Sequence, residues 1–194
     1  MANVDRMGFV PVGTVSGGPW TAGVRLYPVV AGAGDIFVGD FVTLEADGYV
    51  DVVAANTTAL LGVMIGRQPD GVPDGGQLFL DTANVVSLET KYSSGAGQIL
   101  VACAPDTIFE GQCDGISLRA NIGACTNIVA TAGSTTTGMS KHEIDQSDMA
   151  TASTDSQLRI IDYSKRVDNE VTATDVKLHV TMCRPMLGEA SAGV

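Results

Sequence analysis

The stretch VRLYPVVAGAGDIFVGDFVTLEADGYVDVVAANTTALLGVMIG, residues Val24 to Gly66, decides the fold. It is written as short β-strands joined by Gly/Asp turns. Apolar and polar residues alternate through Phe41-Val42-Thr43-Leu44, Asp47-Gly48 supplies a turn, and Tyr49 to Val53 resumes the alternation, which together predict a hairpin. A further run, Leu60 to Ile65, is almost wholly apolar and reads as a strand buried on both faces. No side chain in the stretch suggests chemistry, so it predicts a rigid β-domain that sits against a partner.

Working outward, strand patterns also cover Val24 to Val30, Ile36 to Leu44, Gln77 to Asp81 and Gln98 to Ala104. The segment Gln68 to Gly76, with two Pro-Asp or Gly-type turn signals, is a loop. Pro105-Asp106 joins Ile99–Ala102 to Thr107–Glu110 as a second expected hairpin. Large apolar residues thin out between Asp114 and Ser156, and Thr131 to Ser140 is polar and of low complexity, so residues 114–156 are expected to form a polar surface excursion. Two strands follow it, Gln157 to Tyr163 and Asp175 to Cys183. In the latter Val176, Leu178, Val180 and Met182 share one face, and Lys177, His179 and Thr181 the other. Helical periodicity is confined to a turn or two near Lys141 to Ala150. The fold class is all-β, with an extended N-terminal arm and long loops.

Residues 1–23 carry two prolines, a high share of glycine and scattered apolar anchors. Such a segment cannot bury itself. Two arrangements stay open: an arm that orders when anchors such as Phe9, Val10, Pro11 and Trp20 find pockets on a partner, or a loop wrapped on its own barrel. Residues 24–194 then form a single β-domain.

With 194 residues, 45% of them hydrophobic, the chain can bury a sizeable core without a staple. Its formal charge is −11, and of its 11 basic residues only Lys165 and Arg166 are adjacent. A polyphosphate partner requires a concentrated basic face, so nucleic acid is not expected as a partner. No run of about 18 apolar residues and no secretory leader pattern occurs, so no membrane partner is expected and the chain is expected to fold in a cytoplasm. Cys103, Cys113, Cys125 and Cys183 are separated by 9, 11 and 57 residues, which suits neither a disulfide framework nor paired zinc ligands. They are expected to be free thiols.

Chemistry-bearing motifs are sparse. His179 falls on the polar face of a strand and reads as an exposed spectator. His142 stands among Glu143, Asp145 and Asp148, but position 146 is Gln, so the stretch is not HExxH and reads as a solvated loop. No GxSxG elbow marks a nucleophile, and Ala31-Gly32-Ala33-Gly34 leads into a strand rather than a phosphate-cradling helix. The Asp-Gly pairs at 47, 70, 74 and 114 lack a calcium-loop frame. Catalytic residues, cofactors and metals are accordingly not expected.

Several segments together resemble the capsid decoration, or cement, proteins of tailed bacteriophages. They are Ala2 to Phe9 followed by Pro11-Val12, the pattern from Ile36 to Gly66, ILVACAPDTIFEGQ from Ile99 to Gln112, GSTTTGMSKHEID from Gly133 to Asp145, and QLRIIDYSKRVDNE from Gln157 to Glu170. The resemblance spans most of the chain, and its motifs are structural rather than chemical. It implies a β-rich virion protein built as a small barrel or tulip-like β-sandwich, assembled in the host cytoplasm, that forms a homotrimer and binds the major capsid protein where shell subunits meet. The four cysteines depart from that pattern. Another virion component of the tail, neck or fibre remains an alternative. So does a trimeric β-fold enzyme, although the Asp and phosphate-binding motifs it needs are missing. A carbohydrate-binding module would require clustered exposed aromatics, whereas Trp20, Tyr27, Tyr49, Tyr92 and Tyr163 are spread apart.

Overall fold

A computed structural model of the chain describes residues 8–21, 23–29, 33–54, 57, 59–67, 91–92, 97–149 and 155–188. The strands are β1 (Val10–Thr14), β2 (Val24–Val29), β3 (Ile36–Phe37), β4 (Phe41–Leu44), β5 (Val50–Val52), β6 (Gly62–Arg67), β7 (Lys91–Tyr92), β8 (Gly97–Ala102), β9 (Thr107–Gln112), β10 (Cys125–Thr126), β11 (Ile128–Val129), β12 (Glu143–Ile144), β13 (Leu158–Tyr163) and β14 (Lys177–Met182). The only helical element among the described residues is a single 3-10 turn at Arg119–Asn121. The protein is all-β. The expected strand over Gln77 to Asp81 and the loop from Gln68 to Gly76 lie outside the described residues.

Five strands close a barrel in the order β2-β5-β4-β6-β8, and five more form a sheet in the order β1-β9-β14-β13-β10. The β4–β5 hairpin forms as its sequence predicts. Gly48 takes φ +84°, Glu45 N–H donates to Tyr49 O, and Asp47 Oδ1 accepts from Tyr49 N–H at 3.0 Å. The Pro105-Asp106 turn, by contrast, does not fold a hairpin. β8 already pairs with β2 and β6, and β9 with β1 and β14, so each has both edges occupied and the turn carries the chain from barrel to sheet.

Alternate residues of the barrel strands serve two cores. Val42, Met64, Ile99 and Val101 point into the barrel, whereas Phe41, Val63 and Ala102 point to the layer between barrel and sheet. A strand with apolar partners on both faces loses the polar half of its alternation, which explains the unbroken apolar run from Leu60 to Met64. In the inter-layer core Phe9 and Phe41 meet edge to face at 4.7 Å, and Phe41 and Phe109 at 5.2 Å. Ring edges against ring faces favour such pairs beyond their buried area.

Phe9 favours the second of the two arrangements left open, the segment wrapped on its own barrel. It is 1% exposed inside its own chain's core, its N–H donates to Gly39 O, and the next five residues form β1, the edge of the sheet. Trp20 also packs against this core. Burying Phe9 contributes on the order of 2–3 kcal/mol, which favours wrapping over an unattached segment. Residues 1–7 of the expected arm lie outside the described residues. Residues 114–149 are likewise more than a surface excursion. They supply β10, β11 and β12, and Thr126, Ile128, Ser140, His142, Glu143 and Ile144 are all buried. No helix forms over 141–149: Glu143–Ile144 pair with Ile128–Val129, and a single turn follows, Met149 N–H donating to Gln146 O.

Candidate functional site: a docking groove and two polar clusters

Three segments beyond the sheet enclose an open groove of about 740 Å3. They are the loop after β9 (Ile116 to Arg119), the end of β13 with the residues after it (Asp162 to Arg166), and the loop before β14 (Asn169 to Thr172). Side-chain bonds hold this frame. Tyr163 OH donates to Ser117 O at 2.9 Å, and Asn169 Nδ2 donates to the carbonyls of Ser164 and Lys177 while its Oδ1 accepts from Lys177 N–H at 2.8 Å. Loops bound in this way present a fixed surface, which lowers the entropy cost of docking. Along that surface Ile116, Leu118 and Val171 are exposed, Leu118 at 63%. Arg119, Lys165 and Arg166 stand beside them in a chain of net charge −11. An apolar strip flanked by cations suits an apolar segment carrying carboxylates.

Behind the groove lies an ion-pair network centred on Glu110 of β9. Register places His179 of β14 directly opposite it, Nε2 to Oε2 at 3.7 Å, so His179 is no spectator. Ser164 Oγ donates to the same carboxylate, and Arg166 reaches it at 3.2 Å. The His179 imidazole above all, then the Ser164 hydroxyl and the Arg166 guanidinium, bring the Glu110 carboxyl down to about 2. Asp168 links Arg166 to Lys177 Nζ, the latter at 3.0 Å. Lys177, on the polar face of its strand, is nonetheless buried. The loop that carries Asp168 and Asn169 folds over it and supplies a carboxylate for its ammonium.

The second cluster contains Asp40, Ser140 and His142, each no more than 2% exposed. Phe41 N–H donates to His142 Nδ1 at 3.3 Å, which leaves the proton on Nε2, facing Asp40 Oδ1 at 3.5 Å. Asp40 Oδ2 accepts from Phe37 N–H at 2.8 Å, and Ser140 Oγ accepts from His142 N–H at 2.9 Å. Burial raises the Asp40 pKa and lowers that of His142, so each group is driven toward its neutral form. The three residue types match a nucleophilic triad, but the order does not. The serine oxygen is engaged by the His142 backbone N–H rather than by the imidazole. The expected solvated loop at His142 is thus a buried clamp between β4 and the 140–144 segment. Its neighbouring carboxylates are dispersed: Glu143 accepts from Gln112, Asp145 from Ser147 and Asp148 from Asn127. Among the described residues no three His, Cys, Asp or Glu side chains gather as a metal site.

Of the four residues expected at an interface, Phe9 and Trp20 pack inward, while Val10 and Pro11 stand on edge strand β1. Val10, Val12 and Val15 are exposed along that edge. The groove was not visible in the sequence as a site. Its residues come from three loops, and the one local signal was Lys165-Arg166, the sole adjacent basic pair. No protein-family model, no curated protein and no solved structure matches the chain.

Proposed function

We propose that the chain is a structural protein of a tailed-phage virion, a decoration protein that binds the outside of the capsid and stabilises joints between major capsid protein subunits. The observation that supports this reading is the groove: fixed loops presenting Ile116, Leu118 and Val171 between Arg119, Lys165 and Arg166. Such a surface fits a protein segment better than a small substrate, since it is open and its polar groups do not converge on one point. The sequence resemblance supplies the partner class. The exposed valines on β1 offer a second contact, through which copies associate as a homotrimer and cover the β1 edge of the sheet. Occupying several sites at once, the trimer gains avidity at the joints of a shell under internal pressure.

The test is cosedimentation of the purified protein with capsids assembled without it. The native chain should bind and raise the temperature at which particles release DNA. Leu118→Asp and Arg119→Glu, both at exposed groove positions, should weaken binding at least tenfold, with the fold unchanged by circular dichroism. Absence of binding by the native chain would end the capsid reading. Native-like binding by both variants would move the contact off the groove.

A further inference from the structure

Cys125 opens the two-residue strand β10, and Cys183 follows the last residue of β14. They lie far apart in sequence, yet Cys183 Sγ donates to Cys125 Sγ at 3.8 Å. Register explains the approach. Cys125 pairs with Arg159 and Arg159 with Thr181, so Cys125, Arg159 and Thr181 share one face of the sheet, and Cys183 lies two residues past Thr181 on the same face. Arg159 is the exposed residue over this spot, and its guanidinium reaches both sulfurs. Arg184 adds a second cation near Cys183. Cys125 is buried and Cys183 half-buried, so a reagent meets Cys183 first. The other two thiols differ. Cys113 is fully buried, and Cys103 donates to Gly23 O at 3.6 Å.

We propose that Cys125 and Cys183 form a modification site, a dithiol that a low-molecular-weight disulfide converts into a covalent cross-link between the start of β10 and the end of β14. The Cys183 thiolate attacks one sulfur of the reagent and expels the other as a thiolate, leaving a mixed disulfide. The Cys125 sulfur then attacks Cys183 and expels the second reagent thiolate. Two protons pass from the cysteines to the two reagent thiols, and the two electrons lost by the dithiol reduce the reagent's S–S bond. Both cysteines sit at strand ends, where the backbone can yield as the sulfurs close to about 2.05 Å. Burial and the neighbouring sulfur push the Cys183 thiol up to about 12. Few Cys183 thiols are therefore ionised near neutrality, so the first attack is slow there and accelerates with pH. Once formed, the bond closes a loop of 57 intervening residues and restricts the unfolded chain.

The full chain, reduced and then freed of reductant, is incubated with oxidised glutathione at several pH values, quenched in acid, denatured and alkylated. Mass analysis should show two alkylation sites lost, a peptide linked between Cys125 and Cys183, and Cys103 and Cys113 still alkylated. The rate should rise about tenfold per pH unit between about pH 7 and 9. The oxidised protein should melt several degrees higher, reversibly with dithiothreitol. In Cys125→Ser, Cys183 should stop at a stable glutathione adduct. Four alkylated cysteines after prolonged incubation would overturn the proposal. So would adducts on both Cys125 and Cys183 without linkage, or a linkage through Cys103, Cys113 or a second molecule.

Discussion

Gly111 is where the inter-layer core is least able to change. It lies on β9 beneath Phe9, and a Cβ at this position would overlap that ring. Gly111→Ala should therefore lower stability by about 1–3 kcal/mol, the usual cost of overpacking, seen as a reduced urea midpoint. Adding Phe9→Leu should recover part of the loss, because the smaller side chain vacates the contested space. Strict additivity of the two changes would mean that Phe9 does not pack there. Titration adds a second residue-level expectation. His142 is held below its ordinary 6.5 by burial, with the Asp40 carboxylate opposing. The unfolded chain thus accepts a proton that the folded one resists, and stability present above about pH 6.5 declines as pH falls below it. Glu110 adds a later loss. Its carboxyl falls from 4.5 to about 2 on folding, so the stability it contributes is present above 4.5 and disappears on the way down to 2. Asp40 acts oppositely, since its raised pKa lets the folded state protonate first as pH falls toward 3.8. Urea titrations at stepped pH should show the first decline between about pH 7 and 5 in the native chain and a flat profile there in His142→Gln. An unchanged slope in that variant would assign the acid sensitivity to other groups.

Among the elements, β1 separates what the sequence made legible from what it hid. Strands with period-two patterning were readable: β4 and β5 around Asp47-Gly48, and β14 with Val176, Leu178, Val180 and Met182 buried on one face. β1 was not, because Val10-Pro11-Val12-Gly13 mixes valines with strand-breaking residues. Its pairing with β9 tolerates them only at a sheet edge, with a register shift between Pro11 and Gly13. The polar stretch from 114 to 149 misled for a related reason. Ile128 in this stretch finds a distant partner, Gln157, which accepts from Ile128 N–H at 2.7 Å and donates to Thr57 O at 2.6 Å. Hydropathy does not encode such long-range pairing, nor the three loops that meet at the groove. Deleting residues 1–20 is the direct test of β1. The deletion removes Phe9, the edge strand and the Trp20 contact, so the remainder should be destabilised by several kcal/mol and expose apolar surface that binds a hydrophobic dye. A truncated chain with native melting behaviour would restore the picture of a dispensable arm.

At the scale of the whole molecule, two electrostatic effects of different range act on docking. The net charge of −11 repels an acidic partner over distances of tens of ångströms, whereas Arg119, Lys165 and Arg166 attract carboxylates only across the groove. Screening separates them. The Debye length is about 30 Å at 0.01 M salt, about 10 Å at 0.1 M and about 3 Å at 1 M, so added salt first removes the long-range repulsion and only later weakens contacts at a few ångströms. If the groove takes an apolar segment with carboxylates, capsid association should quicken between about 0.01 and 0.1 M salt and its affinity should decline toward 1 M. The apolar contribution of Ile116, Leu118 and Val171 should leave measurable binding even there. Charge reversal makes the assignment specific. Arg119→Glu should reduce the high-salt decline while keeping the low-salt acceleration, because it removes one of three local attractions and takes the net charge only from −11 to about −13. Affinity that falls steadily from the lowest salt would instead indicate a contact dominated by attraction at every range, which the acidic body and this groove would not produce.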